Sequence, residues 1–174
     1  MIDIDKLRFP VGRYVSPETI SDIQLQNWIN EIEQLPSLLR RATVDLPETV
    51  LNTPYRPQGW TLRQVIHHLA DSHMNAYIRF KLAVTEENPT VRPYFEDRWA
   101  ECSDSKDSEI ELSLNLLDAL HKRWVLFLRS LSQEDWNKTF YHPANKVTMA
   151  LKEVAGLYAW HGNHHLNHIL ITIS

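Results

Sequence analysis

Trp160-His161-Gly162-Asn163-His164-His165-Leu166-Asn167-His168 is the stretch on which the reading of this chain turns. Four of the nine histidines fall in its last eight residues. At roughly 100° per residue, Leu151, Val154, Tyr158, His161, His165, His168 and Ile169 share one sector, about a third of the circumference wide. That pattern predicts an amphipathic helix whose inward stripe carries His161 and His165 one turn apart, both rings on the same face. Desolvation disfavours imidazolium, so inward histidines are held neutral, the form that binds a metal. A lone inward histidine usually bonds a backbone carbonyl; a pair at i and i+4 with a third nearby is harder to read that way. The rival register, His164 with His168, places His164 beside Leu157 and Trp160, away from the stripe.

A second dense spot lies far earlier, His67-His68-Leu69-Ala70-Asp71-Ser72-His73. It follows Thr61-Leu62-Arg63-Gln64, which fits a capping box, so the helix should start at Leu62 and run to about Glu86, before Asn88-Pro89. The apolar stripe of this helix (Leu62, Val65, Ile66, Leu69, Ala76, Phe80) centres near His73. His68 sits at its flank and His67 further round, leaving His73 and His68 as contenders for a third ligand. Asp71, three residues beyond His68, is a candidate to orient an imidazole, against the commoner role of an exposed charge. Three imidazoles without carboxylate or thiolate suit Zn, Ni, Fe or Cu, with Zn or Ni foremost, and leave coordination positions open. There a bound water can ionise near neutrality, or a thiolate can be held for attack on an electrophile. No catalytic side chain beyond that metal-bound water is identified.

Two further long helices complete the pattern. Apolar residues from Ile20 to Leu39 recur at threes and fours over 18–42, with a kink expected at Pro36. Leu112, Leu116, Leu120, Trp124, Phe127 and Leu131 mark a third helix over 109–131, and the last helix covers 149–173. Residues 1–17 read as an extended arm, 43–60 as a polar connector, and 88–107 as a packed connector whose place between helices suits a pocket wall. Ser132 to Trp136 reads as a capped turn, and 140–143 with 146–148 as a small β-hairpin. The expected fold is all-α: one four-helix-bundle domain over 1–174, with that hairpin before the last helix.

Bulk properties exclude several classes. A net charge of −4, with lysines and arginines scattered, gives no footprint for nucleic acid or an anionic membrane. A single cysteine, Cys102, rules out an intrachain disulfide and suits the cytoplasm. The opening residues lack a signal-peptide plan, and no apolar run is long enough to span a membrane. There is no phosphate loop, Gly-x-Ser-x-Gly elbow or His-Glu-x-x-His.

With these residues in view, the chain resembles the DinB-like metal-dependent enzymes of the YfiT type. The likeness rests on Asn52 to Arg56, Gly59 to Val65, His67 to Asn75, Tyr77 to Lys81, Arg92-Pro93-Tyr94, Phe140 to Pro143, Gly156-Leu157-Tyr158, Trp160-His161 and His164-His165. It implies a four-helix bundle, often a homodimer, with one divalent metal held by His68, His161 and His165. It also implies a metal-dependent hydrolase acting on a small-molecule substrate. Related proteins suggest the alternative of a thiol S-transferase that uses a low-molecular-weight thiol such as bacillithiol in detoxification. A non-catalytic metal-binding bundle is the third possibility.

Overall fold

The computed structural model describes residues 4–174. The expected arm begins outside that range; its described part opens with a short helix, α1 (Ile4–Arg8), so it is not extended throughout. The remaining elements are α2 (Asp22–Thr43), α3 (Glu48–Leu51), α4 (Leu62–Thr85), α5 (Glu96–Trp99), α6 (Ser103–Asp107), α7 (Ile110–Arg129), α8 (Gln133–Asn137), β1 (Thr139–His142), β2 (Val147–Ala150) and α9 (Leu151–Ile173).

Local chemistry sets most boundaries. Ser21 Oγ accepts from the Gln24 amide, so α2 starts at Asp22, four residues later than its apolar periodicity alone suggests. At α4 the capping box is complete: Thr61 Oγ1 accepts from the Gln64 amide at 3.2 Å, and Gln64 Oε1 accepts from the Thr61 amide at 2.9 Å. Ser132 and Asp135 cap α8 in the same reciprocal way. β1 and β2 pair antiparallel, Thr139 opposite Ala150 and His142 opposite Val147.

The four long helices form a square in which α2 packs on α9 and α7, and α4 packs on the same two. Helices α2 and α4, successive long helices in the chain, therefore stand on a diagonal. Gly156 brings α9 close to α2: a Cβ there would stand 2.8 Å from the Trp28 ring and from the Tyr14 hydroxyl. Phe80, Trp124 and Ile32 fill one half of the core, and Leu39, Leu62, Ile66 and Leu117 the other. The expected α4 stripe is fully buried.

The expected α7 stripe is corrected. Leu112 and Leu116 are exposed, and the buried face runs through Leu114, Leu117, His121, Trp124, Val125 and Leu128. Hydropathy selected the leucine-rich face because His121 counts as polar; the fold rotates the helix to bring that imidazole inside. Residues 88–107 contain α5 and α6 and pack through Val91 and Ala100, which are buried, whereas Phe95 and Trp99 are exposed. Gln64 Nε2 ties this segment to α4 by donating to the Ala100 carbonyl at 2.7 Å. The hairpin is joined to it by Val91 N–H to the Tyr141 carbonyl at 3.0 Å and Tyr141 N–H to the Pro89 carbonyl at 2.9 Å. Among the described residues no helix is long and apolar enough to cross a membrane.

Candidate metal centre

The inward stripe of α9 delivers His161 and His165, and the adjoining flank of α4 delivers His68. The ligand atoms of these three residues lie within 4.8 Å of one another, and His68 Nε2 is 3.3 Å from His161 Nε2. His68 and His165 are buried, while His161 is partly open to a cavity of about 750 Å³ that all three line. Trp60 closes one side, its ring 4.7 Å from that of His68. Burial, reinforced by repulsion among the neighbouring histidines, pushes His68 down to about 4 and holds His161 and His165 well below the ordinary imidazole value. All three rings are therefore neutral at pH 7, and each has one nitrogen lone pair to offer.

Which nitrogen carries that lone pair follows from the groups behind the rings. His121 Nδ1 lies 2.6 Å from the Ile32 carbonyl, and a carbonyl can only accept, so the proton is on Nδ1. His121, pushed down to about 4 mainly by burial, is neutral, so its Nε2 accepts. It takes the Nδ1–H of His73 at 2.9 Å, and the Nε2 of His73 in turn takes the Nδ1–H of His161 at 3.1 Å. His161 is left with a bare Nε2 facing His68.

Pro36 makes the first link available. In a helix the Ile32 carbonyl would accept from the amide of residue 36, and proline has none. The helix continues unbroken through Pro36. The freed acceptor is used by an imidazole from α7.

A second chain stands behind His165. His168 Nε2 donates to the Arg8 carbonyl at 3.3 Å, so His168 Nδ1 accepts from His165 Nδ1–H at 3.3 Å. His165 Nε2 is then the free lone pair. Each of the two α9 histidines is thus held in the Nε2-ligating tautomer by a relay that ends on a main-chain carbonyl. These relays reach His161 and His165 but not His68, the imidazole beside which Asp71 stands in sequence. Among the described residues no hydrogen bond joins the Asp71 carboxylate to a histidine, and Asn75 Nδ2 donates to its backbone carbonyl instead. Burial pushes that carboxyl up to about 6.

His73, a contender for the third ligand on stripe geometry, lies behind His161 in the first relay. His67 is buried elsewhere, with Nδ1 2.7 Å from Ser113 Oγ. His164 lies beside Trp160 as expected, stacked on it at 4.6 Å; it is also buried and shares a second tight group with His165 and His168. Sequence reasoning missed His121, whose only local signal was a lone histidine in an apolar helix. It also missed Trp60 and Arg79, which line the cavity with Tyr94 from the 88–107 segment.

A helical bundle with histidines from two distant helices meeting at a cavity wall is the class that fold and site define together. The chain belongs to the DinB superfamily, whose family model matches residues 31–169. A relative from Bacillus cereus (strain ZK / E33L), named "Putative metal-dependent hydrolase", is 53% identical over 166 residues covering 95% of each chain. The structure of YfiT from Bacillus subtilis, described as a probable metal-dependent hydrolase with an unusual four-helix bundle topology, superposes with a TM-score of 0.94. YfiT is 47% identical, and the match covers 96% of this chain and 95% of that one. A mycothiol-dependent maleylpyruvate isomerase matches at a TM-score of 0.66 and 18% identity, over 83% of this chain and 60% of its own, and shares the fold alone.

Proposed function

We propose that this protein is a metal-dependent hydrolase that holds one divalent cation, Zn²⁺ or Ni²⁺, on His68, His161 and His165. The observation that carries this reading is the pair of neutral Nε2 atoms 3.3 Å apart. Two nitrogens each 2.0–2.1 Å from a tetrahedral cation are about 3.3–3.4 Å apart, so the spacing fits. The donor set, three imidazoles with no carboxylate, leaves room for further coordination on the cavity side. A cation bound there supplies Lewis acidity, polarising a carbonyl or phosphoryl group and acidifying water.

The chain's own residues hold, orient and enclose. The relays through His73–His121 and through His168 keep two Nε2 atoms unprotonated and aimed at one point. Trp60 and Tyr158 form the cavity wall beside His68 and His161, their rings 4.7 and 5.6 Å from the imidazoles. Burial raises the Tyr94 phenol, which keeps its proton and can donate a hydrogen bond to a substrate in the same cavity.

The test is metal analysis of the purified protein beside His68→Ala, followed by ester, amide and phosphoester panels with and without chelator. One equivalent of metal lost in the variant, with turnover that disappears on chelation, is the expected result. Turnover that survives complete metal removal would sink the reading, and conjugation that needs both metal and an added thiol, without hydrolysis, would move the assignment to thiol transfer.

A further inference from the structure

Two arginines on α4 are buried, and they differ in their partners. Arg63, 4% exposed, forms an ion pair with Glu48 and hydrogen bonds with the Ser108 carbonyl and Asn52 Oδ1. Arg79, 9% exposed, has one hydrogen bond, to the Arg92 carbonyl at the outer limit of 3.5 Å, and no ion pair among the described residues. A guanidinium cannot deprotonate inside a protein, and a buried charge without a counter-charge is strongly unfavourable. None of its nitrogens is sealed without a partner, and the residue lines the cavity that the three histidines also line.

Its place on α4 relates it to the candidate metal centre. His68, Ser72 and Arg79 line the same cavity at spacings that share one helix face. Eleven residues separate His68 from Arg79, about 16 Å of helix rise. Helical side chains tilt toward the N-terminus, so the guanidinium leans back toward the histidines. His142 lines the same cavity. Its Nδ1 accepts from the Asn145 amide at 3.4 Å, which puts the proton of its neutral ring on Nε2 as a further donor. Glu96 and Asp97 also line the cavity, but both are exposed and neither pairs with Arg79.

We propose that Arg79 is a carboxylate-binding residue, and that the substrate is an elongated small molecule with a carboxylate at one end and its hydrolysable group at the histidines. This rests on the hydrolase reading above. A single guanidinium fork matches one carboxylate by two parallel hydrogen bonds and balances its one negative charge, whereas a phosphate dianion would keep a net negative charge beside Glu96 and Asp97. The resting protein holds the cation unpaired, and the substrate brings the missing counter-charge.

The test titrates zinc-loaded protein calorimetrically with monohydroxamates of dicarboxylic acids, from succinic to suberic, and with their methyl esters. At the best chain length the free acid binds about tenfold more tightly than its ester, and Arg79→Met abolishes the preference while leaving ester affinity unchanged. Because the charge is uncompensated in the free protein, Arg79→Met also raises the melting temperature. Equal affinity for acid and ester, a preference that survives in Arg79→Met, or a fall in that variant's melting temperature overturns the proposal. Acetohydroxamate, which has no carboxylate, checks the metal reading separately. If it fails to bind zinc-loaded protein, monomethyl against dimethyl glutarate on metal-free protein still decides Arg79: tighter binding of the acid supports the proposal, and parity overturns it.

Discussion

Two groups of three histidines share residues of α9, and in each the ligand atoms lie close together. His68, His161 and His165 lie within 4.8 Å by their ligand atoms, and so do His164, His165 and His168. They differ in what their nitrogens are already doing. The first group draws on two helices, and each of its two α9 members keeps an Nε2 lone pair free at a cavity wall. The second comes from little more than one turn of one helix; His168 has committed one nitrogen to the Arg8 carbonyl and the other to His165. Among the described residues His164 Nδ1 has no hydrogen-bond partner and is buried, a donor or acceptor left over rather than one aimed with others. Counting lone pairs, not distances, separates a candidate ligand set from the scaffold that orients it.

Four experiments bear on that contrast, beginning with the largest effect. Replacing His161 by alanine should lower metal affinity by more than about a hundredfold, while His164→Ala should keep one equivalent per chain by elemental analysis. Two equivalents in the wild type, one of them lost in His164→Ala, would show that the second group binds metal itself.

Acid should destabilise the metal-free protein through both groups. The folded-state values are pushed below the ordinary 6.5, to about 4 for His68, His121, His164 and His168. The unfolded chain therefore binds more protons between these limits, and stability rises with pH there. The stabilisation is complete above about pH 6.5 and is lost as pH falls through about 4. Thermal melts of chelator-treated protein across that window should slope steeply, and a flat profile would mean that these rings are not buried neutral.

The relay variants come next. His73→Phe and His121→Phe should weaken metal binding by about 10- to 100-fold without changing stoichiometry, as expected for groups that orient a ligand. His121→Phe should also cost about 1–3 kcal/mol in denaturant melts, because the Ile32 carbonyl loses its imidazole donor. Metal affinity unchanged in both variants would dissolve the distinction between ligand and scaffold on the His161 side.

Pro36→Ala should act most mildly. The restored amide competes with His121 for the Ile32 carbonyl, so metal affinity should fall by only a few-fold while the helix gains a backbone hydrogen bond. A competition assay with a chromogenic chelator reads the first effect and a melting curve the second. A variant with the same metal affinity as the wild type would place His121 outside the control of that carbonyl.

Much of the architecture could be read before any coordinates. Thr61 and Gln64 announced the start of α4, because a capping box is chemistry among four consecutive residues. The inward stripe of α9, with His161 and His165 on it, followed from period alone, and the turn opened by Ser132 from its own cap. The leucines of α7 misled, since hydropathy ranks Leu112 and Leu116 above His121, whereas in the fold His121 bonds the Ile32 carbonyl and is buried with Trp124. On α4, periodicity left His68 and His73 unresolved, and family resemblance favoured His68.

The sequence by itself determined where helices begin, which residues share a face, and that two histidines one turn apart look inward on α9. Those are properties of a single segment, settled by 3.6-residue periodicity and by hydrogen bonds between near neighbours. Only the tertiary structure decided that His73 stands behind His161, that a carbonyl freed by Pro36 anchors His121, and that Arg79 is buried with no counter-ion among the described residues. Each of these depends on how one helix is rotated against another, and atoms so far apart in the chain meet only after the core has packed.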